Sequence, residues 1–255
     1  MCLEFVLQLL SQMLTTFMNS KTIKFDFSQK NVLIVGGSRG FGAALVSEFL
    51  KSNAHVFYIS RNKNSLNEGN HIYADLSDTK SINSAIEELK TIQIDILINC
   101  AAINFAKRHD QIDIHEWEEV FKVNISSVFL ITNAILPSMK KNNYGKIVNV
   151  SSIAGRHRSI VSGIHYVSSK AALIGFTRQL AFEVGEWNIN VNVVCPSQTK
   201  TEMYKKTMTK DKEKKLLKSI PLNRIGTVKE QIAPIMFLSS DASSYMTGSV
   251  TDING

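Results

Sequence analysis

The chain has 255 residues, 44% hydrophobic and 20% charged, with a formal charge of +7. This is the make-up of a globular protein with a sizeable core, and no Pro/Gly/Ser linker, repeat or low-complexity tract divides it, so a single domain is expected. Its three cysteines, Cys2, Cys100 and Cys195, lie far apart without a CxxC pair, which argues against a disulfide framework or a zinc site and fits a reducing cytoplasm.

At the N-terminus, Leu3, Val6, Leu7, Leu10, Met13, Leu14 and Phe17 fall at helical spacing and form one apolar stripe. The stripe lacks the basic flank of a secretory signal and is too short and too polar to span a bilayer. Two readings stay open: Met18 is the natural start, or the stripe packs on this domain or on a partner. Residues 1–29 are read as an extension and 30–255 as the domain proper.

From Asn31 onward, short apolar runs alternate with amphipathic stretches. The runs "NVLIV" (31–35), "HVFYI" (55–59), "HIYA" (71–74), "IDILIN" (94–99), "KIVNVS" (146–151), "NVNVVC" (190–195) and "SVTDI" (249–253) read as strands. Helical patterns lie near 42–52, 79–91, 115–141, 166–186 and 228–239, while 61–70 leaves little room for a helix. This alternation predicts an α/β fold: a Rossmann-type, doubly wound parallel sheet of about seven strands with helices on both faces. Ligands of such sheets bind beyond the carboxyl ends of the strands.

After the first strand comes "GGSRGFG", Gly36 to Gly42. Glycines permit a tight turn and a close backbone approach, and the helix that follows offers its N-terminus to a phosphate. The spacing Gly36-x-x-x-Gly40-x-Gly42 differs from GxGxxG and resembles that of the short-chain dehydrogenase/reductase family. The resemblance continues in order through "ADL" (74–76), "NCAA" (99–102), Asn124, "VSSIAG" (150–155), Tyr166-x-x-x-Lys170, "VNVVCPS" (191–197) and "IPLNRIG" (220–226). Departures are small in volume: Val35 for a usual threonine, Cys100 and Ala102 for Asn and Gly, and Ser197 for Gly.

The resemblance implies hydride transfer between a nicotinamide and a carbonyl or secondary alcohol carbon. It makes Tyr166 the general acid/base, Lys170 its partner and a holder of the nicotinamide ribose, Ser152 the hydroxyl on the substrate oxygen, and Asn124 the holder of a relay water. Ser151 is the rival of Ser152. A lysine cation ~5 Å from the phenol, at an effective dielectric of ~20, favours tyrosinate by roughly 3 kcal/mol, or about two pKa units. Cofactor contacts implied by the resemblance are Gly36, Ser38, Arg39, Gly40, Phe41 and Gly42 in the first turn, and Ser60 and Arg61 after the second strand. Further along they are Asp75 and Leu76 near the adenine, Asn99 and Ala101, Tyr166 and Lys170, and Pro196, Thr199 and Thr201. The second strand ends in Ser60 and Arg61 without a carboxylate, and Arg39 adds a second cation, so NADP(H) is favoured over NAD(H).

Eight lysines between Gln198 and Ile220 stand against Glu202, Asp211 and Glu213. They are either a solvated helical face or a lid that attracts an anionic substrate, aided by Arg156, His157 and Arg158. A 3-oxoacyl thioester on an acyl carrier protein is one such substrate. Reductases of that group usually carry docking arginines where Asn143 and Trp187 stand here. The rivals are a non-catalytic NADPH-binding regulator and nucleic-acid binding by the lysine stretch. The stretch has no aromatic interleaving, so neither a nucleic-acid nor a membrane partner is expected. The six histidines show no metal spacing, and none is assigned a catalytic role; no metal is expected. The resemblance also implies a homodimer or homotetramer.

Overall fold

A computed structural model describes residues 24–63, 68–199 and 210–255. The N-terminal stripe, Thr201 and the first lysines of the basic stretch lie outside the described residues. Seven strands, β1 (Asn31–Val35), β2 (His55–Ser60), β3 (Asn70–Tyr73), β4 (Ile96–Asn99), β5 (Gly145–Val150), β6 (Ile189–Pro196) and β7 (Val250–Ile253), form one sheet. Their order is β3-β2-β1-β4-β5-β6-β7, and every neighbouring pair is parallel.

The apolar runs form strands because both faces of the sheet are covered. Leu33, Leu97, Ile147 and Val191 join one core, which is closed by α2 (Thr79–Leu89), α4 (Ser127–Asn142) and α5 (Ile164–Val184). Their strand neighbours Val32, Ile34, Ile96, Ile98 and Val148 join the other core, under α1 (Gly40–Lys51) and α7 (Val228–Ser239). Alternate residues thus serve opposite layers, as the pleat requires. The doubly wound reading of the sequence holds. Among the described residues, the remaining α-helices are α3 (Ile114–Phe121) and α6 (Lys210–Leu217).

The single helix read over 115–141 is interrupted. Lys122–Ser126 forms a π-helical turn between α3 and α4, with Asn124 wholly buried in it. Such turns insert one extra residue and tend to occur at functional sites; helical periodicity alone does not reveal them. The run Ile114–Asn142 is long and apolar enough to cross a membrane, but half of its apolar window is buried in the protein, as in a core helix.

The strand order reverses between β1 and β4, so the chain leaves adjacent strands in opposite directions there and opens a crevice. The loops after β1, β4, β5 and β6 share that edge.

Candidate active site

The turn after β1 is built by glycine. Gly36 has φ of +94°, and a Cβ there would lie 2.8 Å from the Cα of Ala101 in the loop after β4. A Cβ on Gly42 would come within 2.0 Å of the Gly36 carbonyl oxygen. The first turn of α1 carries no acidic residue, and its N-cap, Arg39, makes no side-chain cap. The leading N–H groups of α1 therefore face outward beside a cradle that a Cβ would fill, and this fits the pyrophosphate of a dinucleotide. Ser38 is half-buried next to the exposed Gly40.

Not every expected cofactor contact reaches this cleft with its side chain. Phe41 packs on the core under α1, and Leu76 lies in the opposite core. Only their main chains are free to serve a cofactor. The Ser60 hydroxyl donates to the Asn62 carbonyl and is spent in that turn. Arg61 is exposed and stands 3.9 Å from Asp75. Asp75 accepts from the Ser77 N–H at 2.9 Å and from its hydroxyl at 2.7 Å. These bonds, and then Arg61, hold the Asp75 carboxyl below the ordinary range.

Asn99 was expected among the cofactor contacts, but its side chain turns inward. It is 2% exposed and donates to Asn149 Oδ1 at 2.8 Å. Asn149 donates to Thr177 at 2.9 Å, and the Thr177 hydroxyl donates to the Leu173 carbonyl at 2.8 Å. A buried polar ladder thus ties β4 and β5 to α5. Buried amides need partners, and this is where Asn99 finds one. The only trace of the ladder in the sequence is a polar residue, Asn149, inside an apolar run.

Beyond β5 the candidate catalytic groups converge. Ser152 caps the turn Ile153–Gly155 by accepting the Ala154 N–H at 3.1 Å. A Cβ on Gly155 would meet the main-chain carbon of Lys170 at 2.6 Å, so the glycine lets this turn lie flat on α5. Ser151 is buried and donates to the Lys170 carbonyl at 2.7 Å, which takes it out of contention. Lys170 is 2% exposed; its Nζ donates to the Val150 carbonyl at 2.7 Å and lies 5.7 Å from the centre of the Tyr166 ring. Burial pushes the Lys170 amine down to about 8.

Tyr166 departs from expectation. Burial raises its phenol above the ordinary value, opposed by a hydrogen bond with Ser152. Desolvation of the phenolate outweighs the field of a lysine that is itself buried and engaged elsewhere. The thiols nearby are inert: burial pushes Cys100 up to about 12 and Cys195 up to about 11.

Asn124, expected to hold a relay water, is bonded to protein groups through its side chain. Its Oδ1 accepts the Ile103 N–H at 2.9 Å, and its Nδ2 donates to the Ile103 carbonyl and the Ser169 hydroxyl, both at 3.0 Å. The side chain anchors the loop after β4 to α5 and has no donor left for a water. After β6, Ser197 donates its N–H to the Ile253 carbonyl at 3.0 Å, following Pro196, and Thr199 bridges to Gly226. Arg156 pairs with Asp252 at 3.4 Å, so its charge is largely neutralised and is not free to draw an anion.

The sequence model for short chain dehydrogenases matches residues 30–212. The chain belongs to the short-chain dehydrogenase family. A 3-oxoacyl-[acyl-carrier-protein] reductase of Buchnera aphidicola (subsp. Schizaphis graminum) is 36% identical over 238 residues, covering 92% of this chain and 91% of the relative. The crystal structure of a 3-oxoacyl-[acyl-carrier protein] reductase from Brucella melitensis superposes with a TM-score of 0.81 at 30% identity, over 88% of this chain and 90% of that one. A short chain dehydrogenase from Leptospira borgpetersenii, solved with bound NAD+, gives 0.84 at 29% identity, over 90% and 93%. This short-chain dehydrogenase is therefore an oxidoreductase that uses a nicotinamide cofactor and acts on a small-molecule carbonyl or alcohol.

Proposed function

We propose that the chain reduces a carbonyl with NADPH, using Tyr166 as proton donor. The observation that carries this reading is the buried Lys170 ammonium 5.7 Å from the Tyr166 ring, with Ser152 bonded to the phenol. When bound, the nicotinamide supplies the hydride to the carbonyl carbon. Tyr166, held protonated by burial, gives its proton to the carbonyl oxygen, and the products are an alcohol and the oxidised cofactor. Ser152 holds that oxygen as charge develops on it, and Lys170 stabilises the phenolate left behind. Asn124 positions the loop after β4.

Arg39 and Arg61 support NADPH over NADH: both are exposed cations where the ribose 2′ position is read, with no competing carboxylate at the end of β2. Titration with both cofactors tests this preference, and tighter NADH binding overturns it. Residues 30–255 would form the catalytic domain, acting in the cytoplasm. The exposed Phe129 on α4 and Phe182 on α5 support a homodimer or homotetramer, which light scattering checks.

NADPH and NADH oxidation over a panel of carbonyls, with Tyr166→Phe in parallel, tests the reaction. Oxidation that requires Tyr166 supports the reductase. Tight NADPH binding without turnover on any carbonyl favours a non-catalytic regulator.

The names of the relatives favour a second, narrower reading, a 3-oxoacyl thioester on an acyl carrier protein. Where such reductases place docking arginines, this chain has Asn143 and Trp187. Lys140 Nζ lies 3.7 Å above the Trp187 ring and can supply a cation there. Lys140→Glu should raise KM for the carrier-bound thioester and leave KM for the coenzyme A thioester unchanged.

A further inference from the structure

His165 is fully buried at the start of α5, directly before Tyr166. Its two ring nitrogens have different partners. Nδ1 accepts the main-chain N–H of Tyr166 at 2.8 Å, and Nε2 lies 3.1 Å from the Glu116 carboxylate on α3. An imidazole that accepts at Nδ1 carries its proton on Nε2, so Nε2 donates to Glu116. Glu116 is also paired with Lys107, and its own N–H is accepted by Asp113 at 2.9 Å. The carboxylate is held below its ordinary range, first by Lys107, and remains an acceptor near neutrality.

The Tyr166 N–H belongs to the first turn of α5 and has no partner within the helix. The N-cap is Gly163, which has no side chain to offer. That glycine is required for the ring to fit: a Cβ there would lie 2.4 Å from His165 Cε1 and 2.7 Å from the Phe105 carbonyl oxygen. The Gly163 N–H also donates to that carbonyl at 3.2 Å. The imidazole is thus wedged between α3, the loop after β4 and the first turn of α5.

We propose that His165 is a positioning residue for Tyr166. Glu116 fixes the Nε2–H tautomer, and the Nδ1 lone pair so fixed holds the Tyr166 main chain in place and sets the direction of its phenol towards Ser152. The inference rests on Tyr166 being the proton donor.

Two substitutions separate the two nitrogens. Asparagine places its carbonyl oxygen where Nδ1 lies, whereas glutamine reaches the place of Nε2 and leaves the Tyr166 N–H unpartnered. Amide hydrogen exchange at Tyr166, and kcat and KM for NADPH-dependent reduction of acetoacetyl-coenzyme A, are measured for wild type, H165N, H165Q and Y166F. H165N is expected to keep the amide protection, with kcat within about threefold of wild type. H165Q should lose about tenfold in both, or about 1.4 kcal/mol, with KM for NADPH within about twofold. A packing role does not give rescue by asparagine, since both side chains underfill the ring. Exchange is the deciding readout: wild-type protection in H165Q, or equal losses in H165N and H165Q, overturns the proposal. Unimpaired turnover in Y166F instead overturns the proton-donor reading and the catalytic half of this inference with it.

Discussion

Lys170 and Arg61 are both cations at the carboxyl edge of the sheet, one sealed in the interior and the other in water. Lys170 is 2% exposed, donates to the Val150 carbonyl and titrates near 8. The Arg61 side chain is 61% exposed and only loosely paired with Asp75. The interior cation is fixed in place, and its protonation is set by its surroundings. The exterior one lies in water and can turn to meet a ligand. The corner proposed to move protons is thus anchored by a buried cation, and the corner proposed to read the cofactor's ribose carries a solvated one. Loss of a buried group should remove function, whereas loss of an exposed one should shift a preference.

The largest effect is expected at Tyr166. Tyr166→Phe should fold and bind cofactor yet lose roughly a thousandfold or more in kcat, the scale of a positioned general acid. Steady-state kinetics beside a cofactor titration reads both. Retained turnover would place proton transfer elsewhere.

Arg39→Ala and Arg61→Ala should each weaken NADPH binding by about tenfold and NADH binding by less than about twofold, because only the 2′-phosphate needs the charge. Equal losses for the two cofactors would mean the arginines serve the fold or the pyrophosphate.

Gly42→Ala attacks the cradle between the two corners. The new Cβ would meet the Gly36 carbonyl oxygen at 2.0 Å, so the backbone must shift. Overpacking of this kind costs about 1–3 kcal/mol. A fall in melting temperature of several degrees, with weaker binding of both cofactors, is expected by thermal denaturation and titration.

The smallest effect is a pH trend. Lys170 titrates at about 8 in the folded chain, against 10.5 ordinarily, so between those values the unfolded chain binds more protons than the folded one. The destabilisation from burying the ammonium is therefore fully present below about 8 and is relieved as pH rises. The melting temperature of wild type relative to Lys170→Met should rise from pH 8 to pH 10. A flat difference would mean that Lys170 is not desolvated as its burial indicates.

Periodicity sufficed for the seven strands and their burial on both faces, because continuous apolar runs have few other uses. The spacing of Gly36, Gly40 and Gly42, and of Tyr166 and Lys170, is local, set by one turn and by one turn of helix, and so was legible. Ser151 and Ser152 could be ranked only by resemblance until the Lys170 carbonyl was found to occupy Ser151. Asn99 was placed in the cleft on resemblance, and only the neighbouring strand shows Asn149 waiting for it.

What the sequence determined by itself is the order of elements and the candidates for the reacting groups, since both depend on short-range pattern and on side-chain chemistry. Tertiary structure alone decided how each group is tuned. Burial raises Tyr166 and lowers Lys170, Asp252 neutralises Arg156, and the π-helical turn turns Asn124 onto Ile103. Desolvation and pairing depend on what packs around a side chain, and those neighbours come from parts of the chain far apart in sequence.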